Sequence, residues 1–87
     1  SERNASKYYI RLSTLDKPGI LGKIASILGT YGVSIVTVNQ TIINEENVDL
    51  VFTTHLGEDG SVNKALKEIQ LLQEINSVES IIRIEEL

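Results

Sequence analysis

Hydrophobic residues repeat along the chain with two different periods, and the two periods predict six elements. Apolar and polar residues alternate over residues 8–14, which is the pattern of a strand with one buried face. The same alternation returns over residues 48–55 and 78–84. The β-branched run 33–43 predicts a further strand, and its imperfect alternation indicates a bulge or contacts on both faces.

Two other stretches repeat their apolar residues at helical spacing. The stripes, each on one face of a predicted helix, are Ile20, Ile24, Ile27, Leu28 and Tyr31, and then Val62, Ala65, Leu66, Ile69 and Leu72. We expect Pro18 in the first helical turn, Asp16 as an acceptor for the free amides there, and Gly32 as a left-handed stop. Ser61 is expected to cap the second helix, after a loop at 57–60.

The predicted order of elements is β-α-β-β-α-β, with a polar hairpin at 44–47 between the two halves. Right-handed crossovers that place both helices on one face give an α+β, ferredoxin-like sandwich. We expect a four-stranded antiparallel sheet in the order 4-1-3-2, with the second and last strands at the edges. The open face of that sheet is expected to carry Tyr9, Arg11, Val51, Thr53, Ile81 and Arg83.

Length and composition narrow the class of protein. The 87 residues allow one domain, which we place at 8–87, and the polar residues 1–7 are interpreted as a linker or junction remnant. The sequence contains no methionine, which favours a piece of a longer polypeptide. It contains no cysteine, so disulfides, thiolate metal sites and a cysteine nucleophile are excluded, and a reducing compartment such as the cytoplasm fits.

Charge and polar residues argue against several functions. A net charge of −4 is a poor match to nucleic acid or an anionic membrane, and no apolar run approaches the ~18 residues of a membrane span. The single histidine, His55, has no neighbouring nucleophile or orienting group, so we interpret it as a surface residue at a strand end. The acidic pairs are interpreted as solvated charge rather than catalytic carboxylates: Glu45-Glu46, Glu58-Asp59 and Glu85-Glu86. We therefore expect no catalytic site and no metal site.

The segment from Asp16 to Leu21 is the strongest candidate for a binding site. A strand ends and a helix begins there, and the free amides at a helix N-terminus carry a partial positive charge. Such a site suits a small carboxylate, for instance the α-carboxylate of an amino acid, while Asp16 could bind its ammonium group. An ordinary helix start without a ligand is the alternative.

The same segment carries a family resemblance. Asp-Lys-Pro-Gly-Ile-Leu at 16–21, followed by Gly-Lys-Ile-Ala and Tyr-Gly-Val-Ser-Ile, resembles the ACT domain, a βαββαβ module by which metabolic enzymes sense amino acids. The resemblance covers residues 8–87. Segments 38–40, 49–55, 65–69 and 78–84 are also similar to the carboxy-terminal ACT domains of bacterial homoserine dehydrogenases.

The resemblance implies a regulatory amino-acid-binding domain that is not itself an enzyme and holds no cofactor. It implies a parent enzyme of threonine, methionine and isoleucine synthesis with an NAD(P)-dependent catalytic domain, and threonine as the feedback ligand. ACT domains pair, so a homodimer or higher oligomer is expected, with ligand where one domain's loop meets a neighbour. Mapped onto this chain, the ligand-binding residues are Asp16, Pro18, Gly19, Ile20, Leu21, Asn39 and Gln40. The alternative is a structural pairing module without a ligand.

Overall fold

The computed structural model of the chain describes residues 5–84. Its elements are β1 (Ala5–Leu15), α1 (Ile20–Thr30), β2 (Ile35–Ile42), β3 (Asn47–Thr54), β4 (Gly57–Glu58), α2 (Asp59–Gln70) and β5 (Ile75–Ile84). The predicted βαββαβ order and the ferredoxin-like fold are confirmed. The two-residue strand β4 is an addition, and it pairs with Ala5 and Ser6, so that β1 begins three residues before the alternation that predicted it.

The main sheet is antiparallel in the order β2-β3-β1-β5, which confirms the predicted central positions of the first and third strands. Alternate side chains of these two central strands face the helices and are buried: Tyr8, Ile10, Leu12, Val48, Leu50 and Phe52. By contrast, β2 is exposed along nearly its whole length. The helices therefore cover the centre of the sheet and leave the β2 edge open.

Both helices turn their predicted apolar stripes toward the sheet and complete the core. Their buried residues are Ile20, Ile24 and Leu28 in α1, and Val62, Ala65, Leu66 and Ile69 in α2. Gly32 ends α1 in the left-handed conformation, with φ of 76°, as predicted. Its N–H donates to the Gly29 carbonyl at 2.9 Å, and the Val33 N–H donates to the Leu28 carbonyl at 2.9 Å, which together satisfy the last turn.

The predicted helix starts are wrong in detail. Gly19, with φ of 85°, is the N-cap of α1, so Pro18 lies in the preceding turn and Asp16 makes no capping hydrogen bond. α2 begins at Asp59 rather than after Ser61, again without a side-chain cap. The reason is that β4 pairs with β1 and brings the chain into position for the helix three residues earlier than the polar residues indicate.

A register shift in β5 changes which of its residues face the helices. Leu12 pairs with Val78, whereas the adjacent Arg11 pairs with Ser80, so Glu79 is an extra residue on β5. An extra residue reverses the alternation beyond it, because side chains in a strand point to opposite faces in turn. β2 has a similar shift, which confirms the irregularity expected there.

The prediction that Ile81 and Arg83 lie on the open face of the sheet is therefore wrong. Ile81 pairs with the buried Ile10 and so faces the helix side, as does Arg83 opposite Tyr8. The open face carries instead Tyr9, Arg11, Val51, Thr53, Ser80, Ile82 and Ile84. The alternation of apolar and polar residues along the sequence does not reveal a single inserted residue.

Candidate functional site

The β1–α1 loop, residues 16–19, leaves the sheet at its centre and is held from both sides. The N–H of Leu15 donates to the Glu74 carbonyl at 2.8 Å, and the N–H of Asp16 donates to the Glu46 carbonyl at 2.8 Å. Glu74 belongs to the α2–β5 loop, residues 71–74, and Glu46 to the β2–β3 hairpin, residues 43–46. The three loops meet at one end of the sheet, so the β1–α1 loop has a defined position.

The first turn of α1 presents free amides. The N–H of Ile20 donates to the Lys17 carbonyl at 3.2 Å, and the N–H of Lys23 donates to the Gly19 carbonyl at 3.0 Å. Within residues 5–84, the N–H groups of Leu21 and Gly22 have no backbone acceptor. The first turn contains no acidic side chain. The positive end of the helix is therefore available to an anionic group.

Gly19, the N-cap of α1, has open space around it. A Cβ built at Gly19 would meet no atom within 4 Å. Asp16, Pro18 and Leu21 are exposed, as is Gly19 itself, whereas the side chain of Ile20 is 5% exposed and belongs to the core. Of the predicted loop residues, Ile20 thus anchors the loop, and the others face solvent.

An acidic cleft lies between the β1–α1 loop and the β2–β3 hairpin. It has a volume of about 410 Å³ and is lined by Leu15, Asp16, Lys17, Glu45 and Glu46. Glu45 and Glu46 are exposed, as the sequence predicted, but their proximity to Asp16 was not anticipated. The topology could have indicated it, since a βαββαβ chain brings the β1–α1 loop and the β2–β3 hairpin to the same end of the sheet.

Asn39 and Gln40, the predicted contribution of the second strand, do not join the loop in one copy of the chain. Gln40 pairs with the buried Leu50 and Asn39 with Val51, so the two side chains lie on opposite faces of the sheet. Both are exposed. Neither of them lines the cleft beside the β1–α1 loop.

A polar cluster at the other end of β1 is structural. The Tyr8 hydroxyl donates to Asp59 Oδ1, and Arg83 Nη2 lies 3.1 Å from Asp59 Oδ2. Burial and the hydrogen bond to Asp59 raise the pKa of Tyr8. The prediction of Asp59 as a solvated loop charge is therefore wrong, and Glu85 and Glu86 lie outside the described residues. Among residues 5–84 there is no cluster of three metal-ligating side chains and no helix long and apolar enough to cross a membrane.

Comparison with known proteins identifies the family to which this fold and the site at the β1–α1 loop belong. The family model of the ACT domain matches residues 8–79, and the chain belongs to that family. The homoserine dehydrogenase of Methylobacillus glycogenes is 33% identical over 85 residues, which are 95% of this chain and 21% of the relative. The resemblance to the ACT region of homoserine dehydrogenases is thereby confirmed.

Solved structures agree with the assignment. A homoserine dehydrogenase from Thiobacillus denitrificans superposes with a TM-score of 0.86 at 32% identity, over 98% of this chain and 19% of that one. The ACT domain from GTP pyrophosphokinase of Chlorobium tepidum superposes with a TM-score of 0.67 at 14% identity, over 93% of this chain and 100% of that one, and shares the fold. The chain spans about a fifth of the length of the homoserine dehydrogenases that it matches.

Proposed function

We propose that the chain is the amino-acid-sensing regulatory domain of a homoserine dehydrogenase, with threonine as its feedback ligand. The relatives that cover nearly the whole chain support this parent enzyme. In this proposal the parent is a cytoplasmic enzyme whose catalytic domain binds NAD(P), and the chain itself has no catalytic role. The chain's part is to bind the amino acid and pass the effect of binding to the catalytic domain.

The presence of both polarities at the β1–α1 loop carries the proposal. The amides of Leu21 and Gly22 offer partial positive charge, and the cleft beside Asp16 carries three carboxylates against one ammonium. A zwitterionic amino acid needs both kinds of partner, a donor set for its carboxylate and an acceptor for its ammonium. A purely anionic or purely cationic ligand would match only one of these two sets of groups.

Pairing of two copies completes the proposed site. β2 is an edge strand, and unpaired edge groups invite pairing with another chain. Its apolar side chains are also uncovered, with Val38 38% and Ile42 72% exposed. Asn39 and Gln40 on this edge would then reach the loop of the partner copy, which they do not reach within their own copy.

Calorimetric titration of the assembled chain with threonine, serine and valine tests the proposal. Threonine is expected to bind more tightly than serine, and valine to bind weakly. Valine is the matched control, because it replaces the threonine hydroxyl by a methyl and leaves a buried polar partner unpaired. If no amino acid binds at millimolar concentration while the chain still self-associates, the structural pairing module is the better interpretation.

The ammonium half of the site has its own test. Asp16→Asn removes the negative charge of the loop itself and keeps the size of the side chain. If Asp16 accepts from the ligand ammonium, a lost charge-assisted hydrogen bond weakens binding roughly ten- to a hundredfold. Unchanged affinity would place the ammonium elsewhere in the cleft.

A further inference from the structure

One residue of the α2–β5 loop, Glu74, holds the end of β1. Its backbone carbonyl oxygen accepts from the N–H of Leu15 at 2.8 Å and from Oγ1 of Thr14 at 3.0 Å. Thr14 is fully buried, and the other acceptor near its hydroxyl is the Leu15 carbonyl at 3.2 Å. The last residues of the central strand are therefore fixed to this loop.

The side chain of the same residue holds the start of α1. Glu74 Oε2 accepts from Lys23 Nζ at 2.8 Å, and Lys23 lies in the first turn of the helix. The hydrogen bond from the Lys23 ammonium also lowers the pKa of the Glu74 carboxyl. Glu74 thus holds both the end of β1 and the first turn of α1, the two elements that the β1–α1 loop connects.

We infer that Lys23 and Glu74 are positioning residues for the amino-acid site, which hold the first turn of α1 where its free amides meet the ligand carboxylate. They do not touch the ligand. The inference rests on the proposed function, because it assigns a role within that site. It makes the α2–β5 loop a point of regulation, since displacement of Glu74 lowers the affinity for the amino acid.

Direct binding of the ligand by Lys23 would change the affinity of the Glu74→Gln variant in the opposite direction. If the Lys23 ammonium bound the ligand carboxylate, Glu74 would compete with the ligand, and Glu74→Gln would tighten binding. If the two residues only position the helix, we expect Lys23→Gln and Glu74→Gln each to weaken threonine binding about two- to fivefold. That factor corresponds to the free energy of one exposed ion pair. The double variant should bind no more weakly than either single variant, because both remove the same contact.

The open face of the sheet supplies a matched control. Arg11 Nε and Asp49 Oδ2 also lie 2.8 Å apart, with side chains 45% and 17% exposed, against 53% and 21% for Lys23 and Glu74. Arg11→Gln therefore removes a comparable ion pair away from the loop and should leave the threonine Kd unchanged. Lys23→Arg, which keeps the charge, should restore most of the affinity.

Amide hydrogen exchange of the ligand-free chain gives a readout that does not need a ligand. Exchange of the Leu15 amide should accelerate about two- to fivefold in Lys23→Gln and Glu74→Gln and stay unchanged in Arg11→Gln. If the unsubstituted chain binds no amino acid, the proposed function fails. Hydrogen exchange of the Leu15 amide then decides alone whether the Lys23–Glu74 ion pair holds the loop. Tighter binding by Glu74→Gln, or unchanged affinity of both variants of a chain that binds, overturns the inference.

Discussion

Gly19 and Gly32 flank α1 and offer a matched pair of substitutions, one at the proposed site and one away from it. Both have positive φ, 85° and 76°, and a Cβ built on either would meet no atom within 4 Å. Gly19→Ala and Gly32→Ala therefore impose the same backbone strain without a clash. Only Gly19 lies at the end of the helix that presents the free amides of Leu21 and Gly22.

The expected loss of stability follows from that strain. A residue with a Cβ pays roughly 1–2 kcal/mol in the left-handed region. Replacing glycine also lowers the conformational entropy of the unfolded chain, which offsets about 0.4–1 kcal/mol of this destabilisation. The net destabilisation is about 1 kcal/mol for each variant, which lowers Tm by about 4–8 °C in a domain of this size.

Thermal unfolding followed by circular dichroism measures the loss of stability, and calorimetric titration with threonine measures the loss of affinity. We expect equal losses of Tm in Gly19→Ala and Gly32→Ala, and weaker threonine binding in Gly19→Ala alone. The larger pair Gly19→Val and Gly32→Val should sharpen the difference, because a bulkier side chain fills more of the ligand's space. Binding is compared at a temperature where every variant is folded.

Two results would refute the reasoning. Equal threonine affinity in the folded Gly19 and Gly32 variants would mean that the ligand does not approach the backbone at Gly19. A Tm loss several times larger at one glycine would mean that something other than the shared positive φ determines the cost there.

Three further predictions concern the fold, the edge strand and pH. Hydrogen exchange should be slowest in the central strands β1 and β3, and slowest exchange in β2 or β5 would contradict the sheet order. In sedimentation the chain should be a dimer or larger, and Ile42→Lys, at a side chain 72% exposed on the β2 edge, should shift it toward monomer. Leu71→Lys, at a side chain 82% exposed after α2, is the control and should not. Lys23 lowers the pKa of Glu74, so the unfolded chain binds that proton more tightly. The resulting stability should be present above the ordinary glutamate pKa and lost as pH falls through the lowered one. Glu74→Gln should flatten this part of a pH series of unfolding free energies.

The sequence predicted the fold well because hydrophobic periodicity reports on burial, and burial defines the two layers of this domain. It failed where one residue changes the register, as Glu79 does in β5, and where β4 pairs before α2 begins. The β1–α1 loop was predicted from its own residues. Its contacts with Glu46 and Glu74 were not, because they are made by backbone carbonyl groups, which every residue possesses and no side-chain pattern reveals.

The geometry of one copy decides how the predicted second-strand residues could contribute. Gln40 is level with Leu50 and, across the sheet, with Leu12, three residues before the end of β1 at Leu15. At ~3.3 Å per residue along a strand and ~4.8 Å between strands, Gln40 lies roughly 14 Å from Leu15. The backbone of one amino acid spans about 3.6 Å and covers about a quarter of that gap, so contact within one copy would need the extended side chain of Gln40.

If Gln40→Ala weakens threonine binding, Gln40 acts at the loop of its own copy or, as we propose, at the loop of the partner copy. Mixing two defective chains tests this. A dimer of one Gly19→Val chain and one Gln40→Ala chain then holds one site with both lesions and one site with neither. Random mixing should restore about a quarter of the threonine sites at parental affinity, since a two-fold dimer has two equivalent sites. A mixture that binds no better than the separate variants would place the loop and Gln40 in the same copy's site, or in none.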